Sequence, residues 1–215
     1  MRNGFADIRL KGQVEAKEFY PTQPGHIVSA CAPVLREPAF ETGQDTEALY
    51  GQNVDVLITE DNFVLAKLDS GYVGWILTDH LESHHIKATH RISALGAPLF
   101  IQPDLKSHIV DVLSLNSRLD VMGKVGDYWQ TNSGYVHHRH AVSSNTAFPD
   151  DPAAIAAKFL DLPYIWGGNT SEGLDCSGLV QMAYWACGWD CPRDTDQQQA
   201  ALGSEIDLAA PLQRG

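Results

Sequence analysis

Residues 162–178 leave this chain the fewest ways to fold. They read LPYIWGGNTSEGLDCSG, a short apolar run and a glycine-rich turn that leads to Asp175 and Cys176. The run that follows, Leu179–Cys187, contains no Gly or Pro, and only Gln181 is plainly polar. Such a run predicts a buried helix. Asp175 then stands at the N-cap, and Cys176 lies in the first turn.

That position gives Cys176 a special chemistry. A thiol in the first turn of a helix lies beside unpaired N–H groups and the positive end of the dipole, which favour the nucleophilic thiolate. Gly167 and Gly168 are predicted to let a substrate backbone approach the sulfur. Most Cys residues are inert packing, and that interpretation is kept for Cys187 and Cys191, whose CGWDC spacing is not that of a redox or zinc site.

The motifs around Cys176 resemble those of a known family. The sequence PYIWGG, followed by GLDCSGLV and then by Pro192–Asp194 and Gln197–Gln198, is similar to the NlpC family of papain-like cell-wall cysteine peptidases. The similarity covers residues 153–215. Members of this family cut peptidoglycan stem peptides, and the Cys of their DCSG motif is the nucleophile. The resemblance implies this role for Cys176 and implies no cofactor.

Composition limits the partners and the location of the protein. With 44% hydrophobic and 20% charged residues, the 215-residue chain is predicted to be globular. A net charge of −12 argues against nucleic acid and against anionic membrane surfaces. No apolar segment follows Met1, and the four Cys residues are scattered, so we expect a cytoplasmic protein. A leader that had been removed would instead place it in the periplasm or outside the cell.

Two similar β-rich regions precede the cysteine segment. Short β-type runs separated by turn residues predict a small SH3-like barrel over residues 26–86, after a leader at 1–25. The same order returns over residues 87–145, which predicts a second SH3-like module in tandem. The corresponding segments are Val54–Val56 with Leu119–Val121, and Gly71–Val73 with Gly134–Val136.

The last region, residues 146–215, is predicted to be the N-terminal part of the peptidase domain. A polar linker covers 142–151, and Pro152 then begins a short helix that continues over Ala153–Leu160. The fold class predicted for the whole chain is α+β: two small SH3-like β-barrels followed by the helical half of a papain-like α+β domain.

A cysteine nucleophile needs a base, and the histidines do not supply an obvious one. In the family the base His follows the Cys on a strand of the same domain, but no His occurs here after His140. We therefore expect a C-terminal fragment or a partner chain to supply the β half and the base. His137, His138 and His140 are interpreted as the end of the second barrel's last strand. No metal site is predicted there, because no Cys or carboxylate accompanies them at ligand spacing.

The tandem arrangement also resembles γ-D-glutamyl-L-diamino-acid endopeptidases, which act on murein peptides with a free N-terminal L-Ala. By this resemblance Cys176 attacks the γ-D-Glu carbonyl, and Asp175 pairs with the substrate ammonium in addition to capping the helix. Ser177 and the helix N-terminus are predicted to donate hydrogen bonds near the reacting carbonyl.

Four further residues are implied as substrate contacts. Trp166 is predicted to form a wall of the site, and Asp194 and Thr195 to contact the D-Glu region. Tyr72, from the first module, is a weaker candidate for the ammonium pocket. Packing alone also explains Trp166, and an ordinary place in the barrel core explains Tyr72.

Other functions remain open from the sequence. A non-catalytic protein that binds peptidoglycan or peptides through its SH3-like modules is the main alternative. An acyltransferase or amidase on the same scaffold is another, because a fold does not fix a reaction. If no other polypeptide covers the predicted helix, we expect an exposed apolar patch around Val180, Tyr184 and Trp185.

Overall fold

The computed structural model describes residues 23–207 and 209–211. Most of the predicted leader, residues 1–22, lies outside these ranges. The first strand begins at Gln23, three residues before the predicted start of the first module at residue 26. The remaining domain boundaries stay predictions.

The first barrel is a seven-stranded antiparallel sheet with the order β3-β2-β6-β5-β4-β1-β7. Its core consists of aliphatic side chains from alternate strand positions, together with Tyr72. The strands are β1 Gln23–Ile27, β2 Cys31–Leu35, β3 Gln44–Leu49, β4 Asn53–Glu60, β5 Phe63–Leu68, β6 Val73–Leu77 and β7 Leu81–Glu82.

The second barrel is built from a five-stranded sheet, β10-β9-β14-β13-β12, and a three-stranded sheet, β11-β8-β15. Its strands are β8 His90–Ile92, β9 Gly96–Phe100, β10 Ile109–Ser114, β11 Arg118–Leu119, β12 Gly123–Val125, β13 Tyr128–Thr131, β14 Gly134–His137 and β15 Ala141–Ser143. The predicted position of the histidine cluster is corrected here. His137 ends β14 and His140 ends a 3-10 turn, but β15 follows them.

The two barrels share one strand order. The run β3-β2-β6-β5-β4 of the first corresponds to β10-β9-β14-β13-β12 of the second. A 3-10 turn follows β6 and another follows β14, and each leads into a short strand that pairs with the first strand of its barrel. The tandem repeat inferred from the sequence therefore appears in the topology.

The last region is mainly helical. It contains α1 Pro152–Ala156, α2 Cys176–Ala186, α3 Thr195–Ala201 and the small hairpin β16 Asn169–Thr170 with β17 Gly173–Leu174. Asp151 caps α1, which is shorter than predicted because a 3-10 turn begins at Ala157. Strands and helices in separate regions confirm the α+β class. No helix in the described ranges is long and apolar enough to span a membrane.

One turn of the first barrel joins all three regions. Leu49, at the end of β3, is 1% exposed and belongs to the core formed around α2. The next residue, Tyr50, belongs to the core of the second barrel. Its backbone carbonyl accepts a hydrogen bond of 2.9 Å from Arg118 N. The first barrel therefore contributes side chains to the core around α2 and to the core of the second barrel.

This sharing explains why α2 does not expose the predicted apolar patch. Val180, Tyr184 and Trp185 are each half-buried, not exposed. The helix packs against α1 and against Leu49 and Leu115 from the two barrels. The barrels thus fill their own cores and also supply side chains that cover α2.

Candidate active site

Cys176 is the first residue of α2, as predicted. Of the four Cys residues, it is the one that is exposed. The side chain of Asp175 caps the helix by accepting a hydrogen bond of 2.7 Å from Gly178 N. The Cys176 sulfur lies 3.9 Å from Thr195 Oγ1 and also contacts the phenol of Tyr164. The thiol is therefore placed at an accessible helix N-terminus beside two hydroxyl groups.

A buried ion pair between Arg193 and Asp175 lies next to Cys176. Arg193 donates to both carboxylate oxygens of Asp175, with Nη1···Oδ1 at 3.0 Å and Nη2···Oδ2 at 2.7 Å. The side chains are 4% and 8% exposed, respectively. A bidentate pair of this kind fixes the plane of both groups. Arg193 thus fixes the position of Asp175, the residue that caps α2.

The ion pair gives Asp175 a role in addition to the predicted ones. Its carboxylate accepts from Arg193 twice and from Gly178 N, Gly167 N and Ser177 Oγ. Five hydrogen bonds therefore hold this carboxylate in place. In this structure Asp175 positions the start of α2, and its predicted contact with a substrate ammonium, which would share the carboxylate with Arg193, stays a prediction.

The electrostatics of Asp175 agree with its contacts. Burial disfavours its ionised form, but the hydrogen bonds from Arg193, Gly178 and Gly167 outweigh burial and hold the pKa of Asp175 below its ordinary value. The carboxylate is thus charged at neutral pH, as its pairing with Arg193 requires.

Ser177 is likewise turned inward. Its hydroxyl accepts a hydrogen bond of 2.8 Å from Arg193 Nη1 and donates to Asp175 Oδ1, and the residue is 6% exposed. Its backbone carbonyl accepts from Gln198 Nε2 at 2.9 Å. In this structure the hydroxyl completes the ion-pair network, and the predicted contact of Ser177 near the substrate carbonyl stays a prediction.

Strand β3 of the first barrel runs along the nucleophile loop. Thr46 Oγ1 accepts from Arg193 Nε at 2.7 Å, and Glu47 Oε2 accepts from Asn169 N at 2.8 Å. Gln44 donates to the carbonyl of Trp166 at 2.9 Å. These hydrogen bonds fix the first barrel against the loop before α2.

Gly167 also has a use that was not predicted from the sequence. It has a φ of +74°, and a Cβ there would lie 3.0 Å from Gln44 Cγ and 3.2 Å from the backbone of Asp45. Only Gly adopts this φ without strain and leaves space for β3. Its small size leaves room for the first barrel, and the predicted approach of a substrate backbone stays a prediction.

The predicted site residues surround one cavity of about 440 Å³. It is lined by all seven of them, Tyr72, Trp166, Asp175, Cys176, Ser177, Asp194 and Thr195. Trp166 and Thr195 are exposed, whereas Tyr72 is 8% exposed and also belongs to the first barrel's core. The contacts predicted for Trp166, Asp194, Thr195 and Tyr72 stay predictions.

Several residues of the cavity were not found from the sequence. Arg193 was seen only as part of a motif, although a buried Arg requires an acidic partner. Arg36 and Asp45 of the first barrel line the cavity and form an ion pair of 2.8 Å. Tyr164, which contacts Cys176 but is not among the residues that line the cavity, was named only as part of the PYIWGG motif. Partial burial and the neighbouring Cys176 raise the pKa of Tyr164. Among the described residues that line the cavity there is no His.

The four thiols differ in their expected reactivity, which labelling can measure. Burial raises the pKa of Cys191 to about 11 and also raises the pKa values of Cys31 and Cys187. At pH 8 a pKa near 11 leaves roughly one thiol in a thousand as thiolate. We expect iodoacetamide to modify Cys176 well before the other three. Peptide mapping over a time course measures this, and equal rates at all four would contradict the assignment.

The structure has an accessible Cys at the start of a helix, held in place by hydrogen bonds within the same region of an α+β chain. This is the arrangement that the resemblance in the sequence implied. Residues 161–215 match the NlpC/P60 family, and residues 34–81 match the bacterial dipeptidyl-peptidase SH3 domain. The chain thus combines an NlpC/P60 segment with an SH3 domain of that type, which confirms the resemblance found in the sequence.

Curated relatives and a solved structure agree. The chain is 28% identical over 178 residues to a γ-D-glutamyl-L-lysine dipeptidyl-peptidase of Bacillus subtilis, covering 75% of this chain and 60% of that protein. It is 27% identical to a protein of the same name from Bacillus cereus, and the match covers 72% of this chain and 54% of that protein. The chain thus spans little more than half the length of these relatives. A crystal structure of an NlpC/P60 family protein from Bacillus cereus has the same fold, with a TM-score of 0.73 and 21% identity. The match covers 89% of this chain and 81% of that one.

Proposed function

We propose that this chain forms part of a cysteine endopeptidase that hydrolyses the bond between γ-D-Glu and an L-diamino acid in murein stem peptides with a free N-terminal L-Ala. One observation carries the proposal. The exposed thiol of Cys176 lines a cavity to which the first barrel also contributes, through Arg36, Asp45 and Tyr72. A wall of this kind closes one end of a cleft and suits a short peptide. The names of the two Bacillus relatives support the same substrate class.

The chemistry follows from the position of Cys176. Its thiolate attacks the carbonyl carbon of γ-D-Glu, and N–H groups at the start of α2 stabilise the oxyanion that forms. The leaving amine needs a proton from a base that has first taken the proton of the thiol. We assign that base to a His on polypeptide outside the described residues, from a C-terminal fragment or a partner chain. A cytoplasmic location, suited to the reuse of wall peptides, is part of the proposal.

Hydrolysis of L-Ala-γ-D-Glu-L-Lys and of its diaminopimelate analogue tests this proposal. The 215-residue chain alone is expected to release no diamino acid. Addition of a polypeptide with the β half of an NlpC/P60 domain is expected to produce release, and Cys176→Ala is expected to abolish it. Mass spectrometry of the products measures each case. Turnover by the chain alone would place the base among its own histidines, and no turnover in the presence of the β half would refute the proposed reaction.

Recognition of the free amine is tested by binding. In the Cys176→Ala chain, N-acetylation of the substrate L-Ala is expected to cost about 1.5–3 kcal/mol, the range for a hydrogen bond to a charged group. Because Asp175 is already paired with Arg193, the cost should fall short of that for an unpaired buried carboxylate. The N-methylated peptide, which keeps its charge, is the control. Calorimetry that gave equal affinities for the acetylated and free peptides would exclude amine recognition.

A further inference from the structure

A group of three possible metal ligands lies in the first barrel where β1 meets β7. His26 of β1 is directly opposite Glu82 of β7, and His84 follows two residues later. One ligand atom from each of the three lies within 4.8 Å of the others. None of them lines the cavity around Cys176. The group therefore has no part in the peptidase site described above.

The ring of His26 is already oriented as a metal ligand requires. His26 is 8% exposed, and its Nδ1 lies 2.7 Å from the backbone carbonyl of His84. A carbonyl only accepts hydrogen bonds, so Nδ1 carries the proton and Nε2 keeps its lone pair. Nε2 lies 4.0 Å from Glu82 Oε2, which is too long for a hydrogen bond. A His that donates its other N–H to a backbone carbonyl is the usual arrangement around protein-bound metals.

We propose that His26, Glu82 and His84 bind one divalent transition-metal ion of the zinc class. Two imidazoles and one carboxylate, with a water in the fourth position, form a recognised tetrahedral set for zinc. Ligand atoms about 2.1 Å from the ion lie about 3.4 Å from one another in a tetrahedron. The present group is slightly wider. Glu82 and His84 are exposed and can close on the ion, whereas His26 stays fixed by burial and by its Nδ1 hydrogen bond.

The position of this site suggests a structural role. His84 belongs to the segment that joins the two barrels. Asn53 holds that segment to the first barrel, because its Nδ2 donates to the carbonyl of Ile86 and its Oδ1 accepts from Ile86 N. An ion bound to His26 and His84 would tie the same segment to β1. Zinc is thus expected to raise the unfolding temperature without a direct effect at Cys176.

Metal binding to the untagged 215-residue chain tests the proposal. Every protein carries Cys176→Ala, so that the exposed thiol cannot bind the ion. Calorimetry with Zn²⁺ is expected to show one site per chain, and Co²⁺ to give the visible absorption of a tetrahedral complex. His84→Gln and Glu82→Gln are each expected to weaken binding at least about 10-fold. Both positions are exposed, so these variants should fold.

His85→Gln is the matched control. His85 is adjacent in sequence but lies outside the group, because its Nε2 bonds the carbonyl of Val54 and faces Asp55. Its substitution is expected to leave the affinity unchanged. The proposal would be overturned if His84→Gln and Glu82→Gln both kept the zinc affinity. It would also be overturned if the chain with His26, Glu82 and His84 intact bound no zinc. So would binding that is lost only when His137, His138 and His140 are replaced. Thermal unfolding with and without Zn²⁺ completes the test, since an equal shift in the His84→Gln chain would also contradict it.

Discussion

Replacing Arg193 with Met is expected to lower the free energy of unfolding by about 3–5 kcal/mol, the range for a buried ion pair that loses one partner. Asp175 would remain in a site where it is 7% exposed, with no cation to balance its charge. The change also removes the hydrogen bonds to Ser177 and Thr46. Urea unfolding at neutral pH, followed by tryptophan fluorescence, measures the loss.

Arg36→Met is the matched control for this prediction. The Arg36–Asp45 pair is 2.8 Å long, nearly the same as the 2.7 Å contact of Arg193, but the Arg36 side chain is 63% exposed. An exposed ion pair contributes about 0–1 kcal/mol. If both variants lost the same stability, burial would not be the reason for the effect of Arg193.

The pH dependence of the Arg193 effect has a definite sign. The pKa of Asp175 is lower in the folded chain than its ordinary value of about 3.9. Its charge therefore stabilises the native state above pH 4, and this contribution is lost as pH falls toward the folded-state pKa. In Arg193→Met the carboxylate has no such partner. The stability difference between the two proteins should be largest near neutral pH and shrink below pH 4.

The position of Cys176 at the start of a helix could be predicted because its signals are local in sequence. The cap Asp175, the thiol of Cys176 and the apolar run after them are consecutive, and the structure has helix α2 at Cys176–Ala186 with Asp175 as its N-cap. The barrels were predictable for a similar reason, since alternating strands and turn residues repeat over short distances. The order of these elements then brought the remaining predicted residues to one cavity.

The roles of Asp175 and Ser177 could not be predicted, because their partners are distant in sequence. Arg193 lies 18 residues after Asp175, and Thr46 lies 147 residues before Arg193. No periodicity or composition links such positions. The resemblance assigned Asp175 to the substrate, and only the packed structure shows that an internal guanidinium already occupies it. The same limit applies to Leu49, whose place in the core around α2 depends on how the domains meet.

Gly51→Ala is expected to have the second large effect, a loss of about 2–5 kcal/mol in the free energy of unfolding. Gly51 has a φ of +74°, where an L-residue is strained by about 1–2 kcal/mol. A Cβ there would also collide with the backbone carbonyl of Arg118 in the second barrel. Overpacking of this kind costs a further 1–3 kcal/mol or so. The backbone of Arg118 cannot rotate away as a side chain can. The collision would therefore strain the contact between the two barrels.

Gly126→Ala separates the two contributions. Gly126 also has a positive φ, +57°, but a Cβ there meets nothing within 4 Å. Its substitution should cost only about 1 kcal/mol, because only the left-handed backbone is strained and the reduced entropy of the unfolded chain offsets part of that strain. Urea unfolding of both variants gives the comparison. Gly51→Ala should also lower the m-value if the second barrel separates and unfolds independently. Equal losses at Gly126 and Gly51 would mean that the barrels do not meet at Arg118, and the joining of all three regions through Leu49 and Tyr50 would then be wrong as well.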